Sequence, residues 1–127
     1  MNYKGVIIEE SLENKDILGK ISVLDTRTEV ATEKHKTPWT SQWTLHTVEI
    51  SSDLAEGIAR EISESLDSKH AWYADFKNDE FHYVIFRNKV FKIDLANPKY
   101  RVAMGHGIKI GIPWYQLDFS PEIEEWK

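Results

Sequence analysis

The chain has 127 residues, with 16 basic and 21 acidic side chains for a formal charge of −5, and it carries five Trp, five Tyr and five Phe but no cysteine. A chain of this length makes one domain that buries roughly 65% of its unfolded surface, and without cysteine a disulfide framework is excluded. The acidic balance opposes a protein that binds nucleic acid by neutralising phosphates, and no apolar run approaches the roughly 20 residues of a membrane span.

The opening Met1-Asn2-Tyr3-Lys4-Gly5 runs straight into alternating residues, without the basic region and apolar stretch of an export signal, so a cytoplasmic protein is expected. Residues 3–9 read as a strand, and a polar turn at Asn14-Lys15-Asp16 leads into a second extended stretch over residues 17–30. In that stretch Ile21 and Val23 share one face, whereas Leu24, Thr26, Thr28 and Val30 share the other. The change near Leu24-Asp25 predicts a bulge or bend. Residues 31–41, with Glu33-Lys34-His35-Lys36 and Thr37-Pro38-Trp39, form a long polar loop, a length at which loops are often functional. A third strand follows over residues 42–50.

Ser51, Ser52 and Asp53 are all competent helix caps, and Leu54, Ala55, Ile58, Ala59, Ile62 and Leu66 then recur at helical spacing. Glu56, Arg60 and Glu64 lie on the outer face of this helix. Three short strands come next, over residues 71–77, 81–87 and 90–95, joined by Asn78-Asp79-Glu80 and Asn88-Lys89 as an antiparallel meander. A second helix is capped by Asn97 with Pro98 at its first position, lines Tyr100, Ala103, Met104, Gly107 and Ile108 along one face, and ends at Gly111 before Pro113. The remainder holds a short extended piece over residues 115–119, a possible last strand, and an acidic tail over residues 120–127. The order βββαβββα predicts a single α+β domain: an antiparallel sheet of about six strands with both helices packed on one face.

The register of the meander decides which side chains share a face. A two-residue turn at Asn88-Lys89 sets Phe86 opposite Phe91, Val84 opposite Ile93 and His82 opposite Leu95. A three-residue turn at Asn78-Asp79-Glu80 adds Trp72, Ala74 and Phe76 to that side and makes it almost wholly apolar. The two-residue alternative puts Tyr73 and Asp75 on the core side, so the three-residue turn is preferred for separating apolar from polar residues. The opposite face then holds Tyr73, Asp75, Lys77, Phe81, Tyr83, Ile85, Arg87, Lys92 and Asp94, with Asp75 opposed to Tyr83 and Tyr83 to Asp94. Such a face is a solvated cross-strand ladder, a shallow pocket of carboxylates around a phenol with Lys77, Lys92 and Arg87 for an anion, or a partner interface.

Other chemistry is poorly supplied. His35, His46, His70, His82 and His106 show no zinc spacing, although His46 and His82 both fall on predicted core sides where two imidazoles can meet; no metal is expected. Gly105-His106-Gly107 with Gly111 fails the dinucleotide fingerprint in spacing and in context, and no cofactor is expected. No G-x-S-x-G elbow is present. Acid/base work by Asp75, Asp94 or His82 is what the inventory allows an enzyme. Trp39 and Trp114, each beside a proline, serve as core caps or as walls of a ligand site. Stacking of single-stranded nucleic acid lacks any motif and is opposed by the net charge.

Trp72-Tyr73-Ala74-Asp75-Phe76-Lys77-Asn78-Asp79, then His82-Tyr83-Val84-Ile85-Phe86 and Lys89-Val90-Phe91-Lys92-Ile93-Asp94, resemble a family of small stand-alone prokaryotic proteins of uncharacterised role. Gly111-Ile112-Pro113 and Gln116-Leu117-Asp118-Phe119 are similar to its C-terminal pattern. The resemblance spans about the second half of the chain. It implies a free-standing cytoplasmic protein of bacteria or archaea and brings no catalytic residue, ligand or partner.

The expected function is a binding or regulatory module that meets a small molecule or a protein through Tyr73, Asp75, Lys77, Tyr83, Arg87, Lys92 and Asp94. The alternative is a small hydrolase-like acid/base enzyme using Asp75 and Asp94 with His82. A homodimer follows from the same picture, since an aromatic-rich face left bare by the helices needs cover.

Overall fold

In the computed structural model, which describes residues 2–31 and 40–112, the alternating segments pair into one sheet. Its elements are β1 (Tyr3–Ile8), β2 (Ser22–Val30), β3 (Gln42–Ile50), α1 (Ala55–Ser65), β4 (Tyr73–Lys77), β5 (Phe81–Phe86), β6 (Lys89–Asp94) and α2 (Arg101–Lys109), with 3-10 turns at Glu9–Ser11 and Asp16–Lys20 between β1 and β2. The six strands lie in the order β2-β3-β1-β4-β5-β6, antiparallel throughout. This is the α+β order that the hydrophobic pattern predicts. The expected last strand, the acidic tail, Trp39, Trp114, His35 and most of the 31–41 loop lie outside the described residues. No helix among the described residues is long and apolar enough to cross a membrane.

β1 is central because it bonds on both edges, to β3 and to β4, and Gly5 makes this possible. It sits opposite Val48 on one side and Phe76 on the other. A Cβ built on Gly5 would lie 2.1 Å from the Asp75 carbonyl oxygen and 2.7 Å from the Phe76 Cα, so only glycine allows this approach. The β2–β3 ladder shifts register between Val23 and Asp25, leaving Leu24 as the extra residue of the expected bulge.

The helices depart from expectation. α1 buries Ala55, Ala59 and Ile62 in one cluster with Tyr3, Ile50, Phe76, Tyr83 and Ile85. α2 buries Ala103, which clusters with Val84, Phe86 and Ile93, with Tyr100 and Met104 packed alongside. Consecutive residues of a strand point to opposite faces, so the two helices cover opposite sides of β5 and not a single face. All of β5 after Phe81 is buried. Full burial of each of its larger apolar side chains contributes roughly 1.5–3 kcal/mol.

The meander turns also differ. The β4–β5 connection is a four-residue turn closed by the Asn78 N–H on the Phe81 carbonyl at 3.0 Å. It pairs Phe76 with Tyr83 and Asp75 with Val84, a slip of one residue that reverses the predicted faces of β4 relative to β5. The β5–β6 turn is Arg87-Asn88, with Asn88 in the left-handed region at φ 59°. That is a shift of two from the predicted register, which keeps the faces.

Helix starts are simpler than the sequence proposes. No side chain caps α1 or α2. Leu54 is 59% exposed ahead of α1. Asn97 bonds back to the Asp94 carbonyl in a turn, leaving Pro98 outside α2. Gly111 does end α2, with φ 105° and its N–H on the Ile108 carbonyl.

Candidate functional site

Because of the slip, the residues expected on one polar face separate into two groups, and a few stand apart. Tyr83 and Lys92 are direct cross-strand partners on the α1 side. Tyr73, Asp75 and His82 lie on the α2 side. Asp94 is paired with Phe81 and accepts the Ala96 N–H in a turn, so it meets neither Asp75 nor Tyr83. Arg87 donates to the Leu66 and Glu64 carbonyls, tying down the end of α1. Lys77 is exposed at the end of β4.

On the α1 side, the start of α1 and the ends of β1, β5 and β6 enclose a cleft of about 350 Å³. Its floor is two phenols, Tyr3 and Tyr83, only 4% and 3% exposed. They are held by edge and tilted ring contacts: Tyr3 to Phe76 at 5.3 Å, Tyr3 to Tyr83 at 5.4 Å and Phe76 to Tyr83 at 5.0 Å between centroids. Asn78 also lines the cleft. Its side-chain carbonyl accepts the Glu80 and Phe81 N–H groups at 2.8 and 2.9 Å, which fixes the turn beside the two rings. Each phenol carries one O–H that can donate to an acceptor, and both tyrosines line the cleft.

Burial pushes both phenols above their usual pKa, helped for Tyr3 by the charge of an ionised Tyr83 and for Tyr83 by Glu56, so both are neutral donors at pH 7. The Lys92 ammonium stands 4.2 Å from the Phe81 ring centroid and 5.7 Å from that of Tyr83. Among the described residues no carboxylate pairs with it. Ser52, Asp53, Glu56 and Glu80 complete the rim.

On the α2 side, the fully buried His82 ring bridges Asp75 and Tyr100. Its Nε2–H donates to Asp75 Oδ2 at 2.7 Å, and its Nδ1 accepts the Tyr100 hydroxyl at 2.8 Å. Burial, and then the Asp75 charge, raise the Tyr100 pKa and keep that phenol protonated. His46 is on the other side of the sheet, where it contacts Glu9 at 2.9 Å and Thr26 at 2.8 Å, so the two imidazoles expected to meet do not. Among the described residues no group of three or more metal-ligating side chains is gathered.

Sequence reasoning singled out Tyr83 and Lys92 but missed Tyr3, Asn78 and Tyr100 as their partners and those of His82. Asn78 carried a signal in its place at the head of a turn, where its side-chain carbonyl caps the N–H groups two and three residues on. Tyr3 and Tyr100 carried none, since tertiary pairing alone brings them in. Comparison with protein-family models, with curated proteins and with solved structures finds no match for this chain.

Proposed function

We propose that this chain is a binding module for a small polar molecule held in the cleft over Tyr3 and Tyr83. The observation that carries the reading is a pair of buried phenols lining one cleft with a lysine that has no carboxylate partner among the described residues. The phenolic O–H groups and the ammonium are all donors, and all border the same cleft. Of the residues expected to bind, Tyr83 and Lys92 keep that role, while Arg87 and Asp94 act in turns. Such a binder is proposed to act as a free-standing cytoplasmic protein, as the resemblance of its second half implies. A homodimer is no longer required to cover Tyr73, Phe81 and Tyr83, because Phe81 and Tyr83 pack in the α1 cluster and Tyr73 packs against the α2 cluster.

The test is a fragment titration of ¹⁵N-labelled protein. Shifts centred on Tyr3, Tyr83 and Lys92, lost in Lys92→Met, are expected. Hits that map only to other surfaces would overturn the reading.

A second reading has its own support in the Asp75, His82 and Tyr100 chain, where a buried imidazole connects a carboxylate to a proton-holding phenol. In that reading Tyr100 is the acid, His82 relays and Asp75 orients, with no share for Asp94. Fragment shifts centred on Tyr100 in place of Tyr83 would favour it.

A further inference from the structure

The cleft over the two phenols holds charges of both signs that do not meet. Lys92, Asp53, Glu56 and Glu80 all line it, so all lie within reach of one small volume. Yet Lys92 stands over the Phe81 and Tyr83 rings, and neither it nor Glu80 forms an ion pair among the described residues. Glu56 is engaged by Arg60 at 3.1 Å. Opposite charges that line one cleft without neutralising each other are matched by a ligand that carries both.

From these charges we infer that the cleft takes a free α-amino acid or a closely similar zwitterion. This rests on the reading of the cleft as a small-molecule site. The ligand carboxylate is received by the Lys92 ammonium and by the phenolic O–H groups of Tyr3 and Tyr83, which line the same cleft. The ligand ammonium is received by Glu80 and Asp53, which only accept. A simple anion would satisfy Lys92 but face the carboxylates of Asp53, Glu56 and Glu80; a simple amine would satisfy those but face Lys92. A neutral polyol would leave both sets unpaired. The size agrees, since about 350 Å³ is near the lower limit for ligand pockets.

The experiment is isothermal titration of the full chain with each of the common free amino acids, with propionate, propylamine and glucose as partial or neutral mimics. At least one amino acid is expected to bind ten times more tightly than propionate or propylamine. Lys92→Met and Glu80→Gln, both at exposed positions that leave the core intact, are each expected to weaken it at least tenfold, with unchanged circular dichroism. If propionate or glucose binds as well as any amino acid, the zwitterion is wrong and the cleft is still a binding site. If no amino acid binds, the inference falls, and the fragment titration decides separately whether the cleft binds anything.

Discussion

Replacing Tyr100 with phenylalanine removes one oxygen atom and keeps the ring. Its edge contact with the His82 ring, 5.6 Å between centroids, is retained. What is lost is the hydroxyl that donates to Nδ1 of the His82 ring, which is 0% exposed. A buried acceptor left without a donor costs about 1–3 kcal/mol. The greater apolarity of phenylalanine offsets a fraction, so the expected net loss is about 1–2 kcal/mol. In urea at pH 7 the midpoint should fall with unchanged m-value, and Tm should drop roughly 3–6 °C per kcal/mol for a chain of this size. A double-mutant cycle with Asp75→Asn should show a coupling of about 0.5 kcal/mol or more, because both act on one ring. A Tyr100→Phe protein as stable as the parent, with no coupling to Asp75, would show that α2 is not tied to the sheet through this chain.

Gly5→Ala forces a Cβ against the Asp75 carbonyl and the Phe76 backbone, and should cost about 2–4 kcal/mol in urea unfolding; a loss under about 1 kcal/mol would mean that β1 and β4 separate easily. His106, packed on Phe86 at 4.8 Å, is held below its usual 6.5 by burial and then by Lys89 and Lys109. Between 6.5 and its lower folded value the unfolded chain binds the proton and the native chain does not, so stability should fall as pH drops through that window, less steeply in His106→Gln. An NMR titration midpoint at or above 6.5 for His106 would contradict this. Glu9 is depressed below 4.5, chiefly by the hydrogen bond from His46; it stabilises the fold above 4.5, and that contribution is lost as pH falls through its lower folded value. Glu9→Gln should flatten acid unfolding only modestly, because the side chain is 33% exposed and screened, and a slope identical to the parent would remove the His46 contact as a source of acid sensitivity.

Strand existence, strand order along the chain and the Leu24 bulge were legible because each rests on a local pattern. Leu24 shows how: the apolar residues change face within one strand, and an inserted residue is the ordinary cause. The slip in β4 was not legible for a physical reason. Choosing the three-residue turn assumed that one face of the meander is dry and the other wet, as in most antiparallel sheets. β5 breaks the assumption because α1 covers Tyr83 and Ile85 while α2 covers Val84 and Phe86. A strand buried on both faces reads His82-Tyr83-Val84-Ile85-Phe86 with no alternation to reveal its phase. The same misjudgement put both helices on one side, since a wet face needs no helix.

The site suffers from this more than the fold does. Slipping one strand by one residue leaves the architecture intact but moves Asp75 away from Tyr83 and onto His82. A cluster inferred across two strands is therefore only as good as the turn between them. Tyr83 and Lys92 survived together because an error of two residues in the β5–β6 turn preserves the face, and the corrected register even makes them direct neighbours. Tyr3 was legible as a strand residue and not as a site residue, since 80 positions separate it from Tyr83 and only the central place of β1 joins them. That placement depends in turn on Gly5, whose missing side chain lets β4 approach from one edge while β3 pairs on the other. Gly5→Ala should then do more than lower stability. By pushing β4 away it should part the Phe76 ring from Tyr3 and Tyr83, so whatever binds over the two phenols should bind more weakly even where the protein is still folded, whereas Leu54→Ala, on the exposed approach to α1, should leave binding unchanged. Equal binding by the Gly5→Ala protein and the parent would mean that the phenols are ordered without the close packing of β1 on β4.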